Sequence, residues 1–221
     1  MTMNKKSNAA PGAPNGNRSH SRGSNLLGVG QYNERLILQV IRHSGSLPKA
    51  EIARNTGLSA QTVSVIINRL LDSKLLRKQP INRIEGRTGQ PATPIALNPN
   101  GAFSVGVKIG RNSLDVVIVN FSGEVLQQVN HRYDYPDPET VFSEIETRIA
   151  ELTSAMSPAH RARIVGIGVS APFMLGGWEQ LVDAPREALA HWNSIDIRES
   201  VSKNQTLPVW FSNDATAACV A

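Results

Sequence analysis

Residues 59–71 read Ser59-Ala60-Gln61-Thr62-Val63-Ser64-Val65-Ile66-Ile67-Asn68-Arg69-Leu70-Leu71, and their spacing decides how the front of the chain folds. Val63, Ile66, Ile67, Leu70 and Leu71 fall at i, i+3, i+4, i+7 and i+8, the stripe of a helix with one face in a core. Ser59 precedes the stripe as a favoured N-cap. The opposite face carries Gln61, Thr62, Ser64, Val65, Asn68 and Arg69. Asn and Gln amides match adenine edges, Ser and Thr hydroxyls reach bases or phosphates, and a Val or a Thr methyl meets the thymine methyl. Such a face suits the major groove of double-stranded DNA. The alternative is an ordinary three-helix core whose polar face meets only water.

Upstream, Leu36, Ile37, Val40 and Ile41 form one apolar helical face from Tyr32 onward, and Gly45 is a stop signal. A second helix opens near Pro48, a residue suited to the first turn, and Glu51 complements its dipole. Ile52 and Ala53 face inward, and Gly57 ends it. Two short helices joined by a Gly-containing turn, the second amphipathic, form the helix-turn-helix pattern. Downstream, residues 75–79 and 93–97 read as paired strands around a basic loop, Asn82-Arg83-Ile84-Glu85-Gly86-Arg87-Thr88-Gly89-Gln90-Pro91. That hairpin is a wing. A Gly-flanked Arg on such a loop can enter a narrow minor groove, where the potential is most negative. Arg87 is the candidate, with Arg83 on a phosphate.

Charge supports the reading. The whole chain carries a formal +5, yet 14 of its 23 Lys+Arg and only 4 of its 18 Asp+Glu lie in residues 1–100. The front is therefore +10 and the remainder −5, an asymmetry expected of a nucleic-acid-binding front and a differently employed back. Residues 1–24 are rich in Asn, Ser, Gly and Pro and read as a disordered basic tail. One Cys in 221 residues excludes a disulfide framework or a Cys-cluster zinc site built from this chain. Cys219 reads as a small buried residue. No apolar run approaches the length of a membrane span, and no secretory signal opens the chain. A cytoplasmic location and no membrane partner are expected.

Beyond Asn98-Pro99-Asn100-Gly101 the apolar period changes to two. Phe103, Val105, Val107 and Ile109 alternate as a strand; Leu114, Val116 and Ile118 make a second, and Glu124–Tyr133 a third. A helix is predicted over Val141–Ala155, with Phe142, Ile145 and Ile149 inward. Ile164–Val169 reads as a buried strand, and Val209-Trp210-Phe211 as another leading to Ser212-Asn213-Asp214. This is an α/β domain with a leading antiparallel meander.

Over about residues 32–221 the sequence resembles the ROK family of repressors, open reading frames and sugar kinases. The carriers are the winged helix, Val105-Gly106-Val107-Lys108-Ile109-Gly110-Arg111-Asn112, Gly166-Ile167-Gly168-Val169-Ser170-Ala171-Pro172, and Asn213-Asp214-Ala215-Thr216-Ala217-Ala218. The resemblance implies an actin-like (ribonuclease H-like) fold with a sugar between two lobes. It also implies that Asn213 and Asp214 match the family's sugar-binding pair, Asp214 standing where the kinases keep their base. The alternative for both is a helix N-cap. The family's kinases carry a DxGGT-type phosphate loop. Here Lys108 replaces the acid, and Arg111 and Asn112 replace the second Gly and the Thr, which argues against Mg-ATP chemistry. Ala171 stands where a Gly is usual in the run near the sugar.

The expectation is an α+β chain: a tail over 1–24, a winged helix-turn-helix over 25–98, and over 99–221 one incomplete actin-like lobe, the second lobe missing by truncation. The expected function is sequence-specific DNA-binding regulation, as a repressor, of carbohydrate-related genes. Double-stranded DNA, a sugar or sugar-phosphate effector and a second copy of the chain are the expected partners. No cofactor, metal or catalytic residue is expected. An ATP-dependent sugar kinase and a constitutive DNA-binding remnant without ligand response are the alternatives.

Overall fold

The computed structural model describes residues 21–80, 92–173, 175 and 185–220. Helix α1 spans Ser21–Ser44, a short strand β1 Ser46–Pro48, α2 Lys49–Thr56 and α3 Ala60–Asp72. Strands β2 (Leu76–Lys78) and β3 (Pro94–Leu97) follow, and β3 pairs antiparallel with both β1 and β2. Three helices on a three-stranded antiparallel sheet make the winged helix. Its core holds Ile37 and Ile41 from α1, Ile52 from α2, Val63, Ile66, Ile67 and Leu70 from α3, and Leu76, Ile95 and Leu97 from the sheet. Leu71 is only partly buried.

The helix-turn-helix follows from local chemistry. Gly57 takes φ 69°, the left-handed conformation a helix C-cap favours in glycine. Ser59 Oγ accepts from the Thr62 amide at 3.1 Å and starts α3 three residues later. Two features of this region depart from the sequence reading. Helix α1 begins at Ser21, not near Tyr32, so residues 21–24 are helical where a tail was expected. Once the face of Ile37 and Ile41 anchors a helix, extending it outward costs little per residue, even through weak formers. Ser46–Pro48, where no strand was expected and Pro48 was read as opening the second helix, pairs with β3 because its backbone meets the free edge of the wing, and the helix starts at Lys49.

The second core belongs to a five-stranded mixed sheet of order β6-β5-β4-β7-β8. Its strands are β4 (Phe103–Ile109), β5 (Ser113–Asn120), β6 (Val125–Arg132), β7 (Ile164–Ala171) and β8 (Val209–Asn213). The meander β4–β6 is antiparallel, and β7 and β8 add in parallel. Helix α4 (Pro138–Ser154) buries Val141, Ile145, Ile149 and Leu152 against one face. It begins earlier than the apolar spacing alone suggests, because Asp137 caps it through the Thr140 amide and Pro138 fits the first turn. Short helices α5 (Pro158–Arg161), α6 (Arg186–Ala190) and α7 (Ile197–Ser202), and a final α8 (Asp214–Val220), complete the described chain. The opposite sheet face leaves Val165 and Trp210 more than half exposed.

The two cores meet at a close backbone junction. Arg163, just before β7, donates through Nε to the Gly101 carbonyl at 2.8 Å and through Nη2 to the Ser73 carbonyl at 3.1 Å. Ser73 is the C-cap of α3. A Cβ on Gly101 would lie 2.9 Å from the Lys74 carbonyl oxygen, so the linker can pass the end of α3 only as glycine. Lys74 itself is held at φ 62° while the Asn98 side chain donates to its carbonyl at 2.7 Å. The β5–β6 turn adds Phe121, which packs against the winged-helix core. Asn120 braces that turn from inside: its Oδ1 accepts from the amides of Ser122 and Glu124, both at 3.0 Å.

Candidate nucleic-acid interface and effector cleft

Helix α3 presents Gln61, Val65 and Asn68 on one exposed stripe, and Val65 is 63% exposed. The other expected readers are engaged within the protein or less exposed. Ser59 Oγ is spent on the cap and lies 2.8 Å from Thr62 Oγ1. Thr62 and Ser64 are half-buried. Arg69, at the last turn, donates to Glu34 of α1 and forms an ion pair with it. The geometry thus separates one outward stripe from a capping and bracing set. Sequence reasoning missed Lys49, the first residue of α2, whose Nζ donates to Asn68 Oδ1 at 2.9 Å. A cation at a helix N-terminus opposes the macrodipole, and that misplacement was the available signal. Arg83 and Arg87 lie outside the described residues, between β2 and β3.

The second candidate site lies where the parallel strands end. Lys108 of β4 registers with Ser170 of β7, and Ala171 of β7 with Asn213 of β8. Ligands of open α/β sheets bind beyond the carboxyl ends of such strands. Asn213 closes β8, and its Oδ1 accepts from the amides of Ala215 at 3.0 Å and Thr216 at 3.3 Å. It therefore caps α8, and its amide nitrogen reaches the Ala171 carbonyl at 3.5 Å. Asp214 is half-buried at the helix start, with Oδ1 2.8 Å from the Ala215 amide. Beside these ends lies an open pocket of about 400 Å³ between Pro172, Phe173, Trp192, Asn193, Asp196 and Phe211; Asn213 and Asp214 do not line it.

The turn over residues 110–113, expected from the resemblance to stand at the phosphate loop of the family's kinases, is closed on itself. The Gly110 amide donates to the Ser113 carbonyl at 2.8 Å, so it is not aimed at a ligand. Tyr133 O–H donates to the carbonyls of Gly110 and Ser113, each at 2.9 Å, and burial pushes its phenol well above the usual range. The phenol accordingly stays protonated and keeps both bonds. Asn112 is turned onto the Asp134 carbonyl at 2.7 Å. Lys108, expected from the resemblance to replace the kinases' acid, is exposed.

The glycine run near the cleft has a packing role. A Cβ on Gly166 would stand 2.2 Å from the Trp210 ring and 2.9 Å from the Pro208 carbonyl oxygen. Cys219, expected to be buried, is exposed. Helix α8 packs along β7 and β8, and Ala215, Thr216, Ala218 and Cys219 are exposed. Among the described residues, no group of three or more His, Cys, Asp or Glu side chains is arranged to hold a metal, and no helix is long and apolar enough to cross a membrane.

Comparison with known proteins gives this architecture its class. Residues 31–77 match a winged helix-turn-helix DNA-binding family, and residues 104–221 match the ROK family. The second match covers more than half of the chain, and the chain belongs to the ROK family. It is similar to the xylose repressor of Bacillus spizizenii, 22% identical over 189 residues, covering 86% of this chain and 48% of the repressor. It is also similar to the DNA-binding transcriptional dual regulator NagC of Escherichia coli, 20% identical over 147 residues, covering 65% of this chain and 35% of NagC. Among solved structures, a ROK family transcriptional regulator described as a homologue of the E. coli MLC protein superposes with a TM-score of 0.58 at 21% identity, over 87% of this chain and 48% of that one. The chain spans about half the length of the curated relatives it matches most fully. The fold is shared with a transcriptional regulator: a winged helix-turn-helix followed by an α/β domain on a mixed sheet.

Proposed function

We propose that this chain is a sequence-specific DNA-binding transcriptional regulator, acting as a repressor on carbohydrate-related genes in the cytoplasm. The observation that carries the reading is the exposed stripe of Gln61, Val65 and Asn68 on a helix whose opposite face buries Val63, Ile66, Ile67 and Leu70. Helix α3 enters the major groove. Arg87 reaches the minor groove, and Arg83 a phosphate. Residues 25–98 form the DNA module and 99–221 the effector module. A sugar or sugar-phosphate binds at the strand ends near Asn213 and Asp214 and shifts the geometry of a homodimer, moving the two α3 helices off half-site spacing. Binding, not catalysis, fits a site with Lys108 at the acidic position and the Gly110 amide turned inward.

Asn68→Ala is expected to relax preference at one base position of each half-site, by about 1–3 kcal/mol of discrimination. Selection of bound fragments from a random duplex library reads this directly; an unchanged preference would move the reading helix elsewhere. D-xylose is the first effector to test, given the xylose repressors among the relatives. Release of the selected duplex by millimolar xylose, lost in Asp214→Ala, is expected. Release by no sugar at all would leave a constitutive DNA binder.

A further inference from the structure

Lys49 is in an electrostatically poor place for a helix and a good place for a reader. It opens α2, where the helix dipole disfavours a cation. Its cap, Pro48, supplies no side-chain bond there. The acidic residue of that turn, Glu51, pairs with Arg54 at 3.6 Å. The Lys49 ammonium reaches instead across the helix-turn-helix to Asn68, at 2.9 Å. An ammonium only donates, so the amide atom facing it must be oxygen. The Asn68 amide is thereby oriented, with its N–H groups turned away from Lys49.

This changes what the stripe can recognise. A free Asn matches adenine by donating to N7 and accepting from N6. Here the accepting oxygen is engaged and stands beside a positive charge. The pair's outward atoms are Asn68 Nδ2 and the remaining hydrogens of Lys49 Nζ, and all of them donate. Guanine offers two acceptors in the major groove, N7 and O6, whereas adenine places a donor at N6. We propose that Lys49 and Asn68 act as one base reader that selects guanine over adenine at one position of each half-site. This rests on the regulator reading above and adds a specificity-determining residue to it.

The test is library selection with the full chain and three variants. The parent is expected to enrich guanine in one column of each half-site. Lys49→Met should convert that column to adenine, because the freed amide then reads it in the ordinary way. It should also bind the parent's site about fivefold more weakly, the low end of one bidentate contact. Lys49→Arg should retain guanine, and Asn68→Ala should flatten the column. An unchanged thermal midpoint in Lys49→Met would show that folding is not the cause. Adenine in the parent's column, or guanine retained in Lys49→Met, would overturn the pairing and leave the regulator standing. Equal weakening on all sequences, with a smaller salt slope, would make Lys49 a phosphate contact and also overturn it. No shared site for the parent would bring down the regulator reading and this inference together.

Discussion

Ile67→Ala is expected to cost about 2–5 kcal/mol and to abolish DNA binding at physiological temperature. Ile67 is fully buried in α3, in the core that also holds Ile37, Ile41, Ile52 and Val63. The cluster it belongs to draws on all three helices. The polar stripe that would meet DNA lies on the same helix, so the reader depends on the packing behind it. A small domain has only about 5–15 kcal/mol of net stability, and a loss of this size takes a large part of it. Ile67→Val removes one methylene and should cost about 0.5–1.5 kcal/mol. Urea unfolding followed at the helical signal would measure both. If Ile67→Ala unfolded within about 0.5 M urea of the parent, less than a loss of about 2 kcal/mol gives even at a slope of roughly 3 kcal/mol per molar, the buried face of α3 would be misplaced.

Phe103→Ala is expected to be as damaging in the other core, at about 3–5 kcal/mol. Phe103 is 1% exposed, and its ring centre lies 4.8 Å from that of His160. It opens β4, and its amide donates to the Arg163 carbonyl at 3.0 Å. Arg163 in turn holds the Ser73 carbonyl at the end of α3. Damage at Phe103 should therefore reach the winged helix. Hydrogen exchange is expected to quicken across β4, β7 and the last turn of α3, with the α2 amides less affected. Phe103→Leu, which keeps most of the apolar volume, should lose far less. Fast exchange confined to the sheet, with the end of α3 fully protected, would show that the junction does not couple the two cores.

Much of this architecture is local in origin and therefore legible. The stripe of α3 is a spacing, its cap is Ser59, and its stop signals upstream are Gly45 and Gly57. Each acts within a few residues of where it stands. The alternation of β4 and β5 is equally local, and it matches the buried faces residue for residue. The start of α1 was not legible, because helix extension depends on an anchor some way along the chain. Nor was β1, whose backbone forms a strand only because β3 passes beside it. Asn213 shows both of its expected roles competing at one atom: the oxygen that would meet a sugar already caps α8.

From the sequence alone came the amphipathic reader, the basic front and acidic back, the alternating strands and the departures from a kinase loop at Lys108, Arg111 and Asn112. Periodicity, charge and turn chemistry are properties of neighbours in the chain. The tertiary structure decided which polar groups of that reader are free. Asn68 meets Lys49 from 19 residues away, and Arg69 meets Glu34 from 35. Arg163 joins the end of α3 from 90 residues away. A side chain's charge and shape are written at its own position, but a hydrogen bond belongs to two positions. Only folding brings the second one within hydrogen-bonding distance.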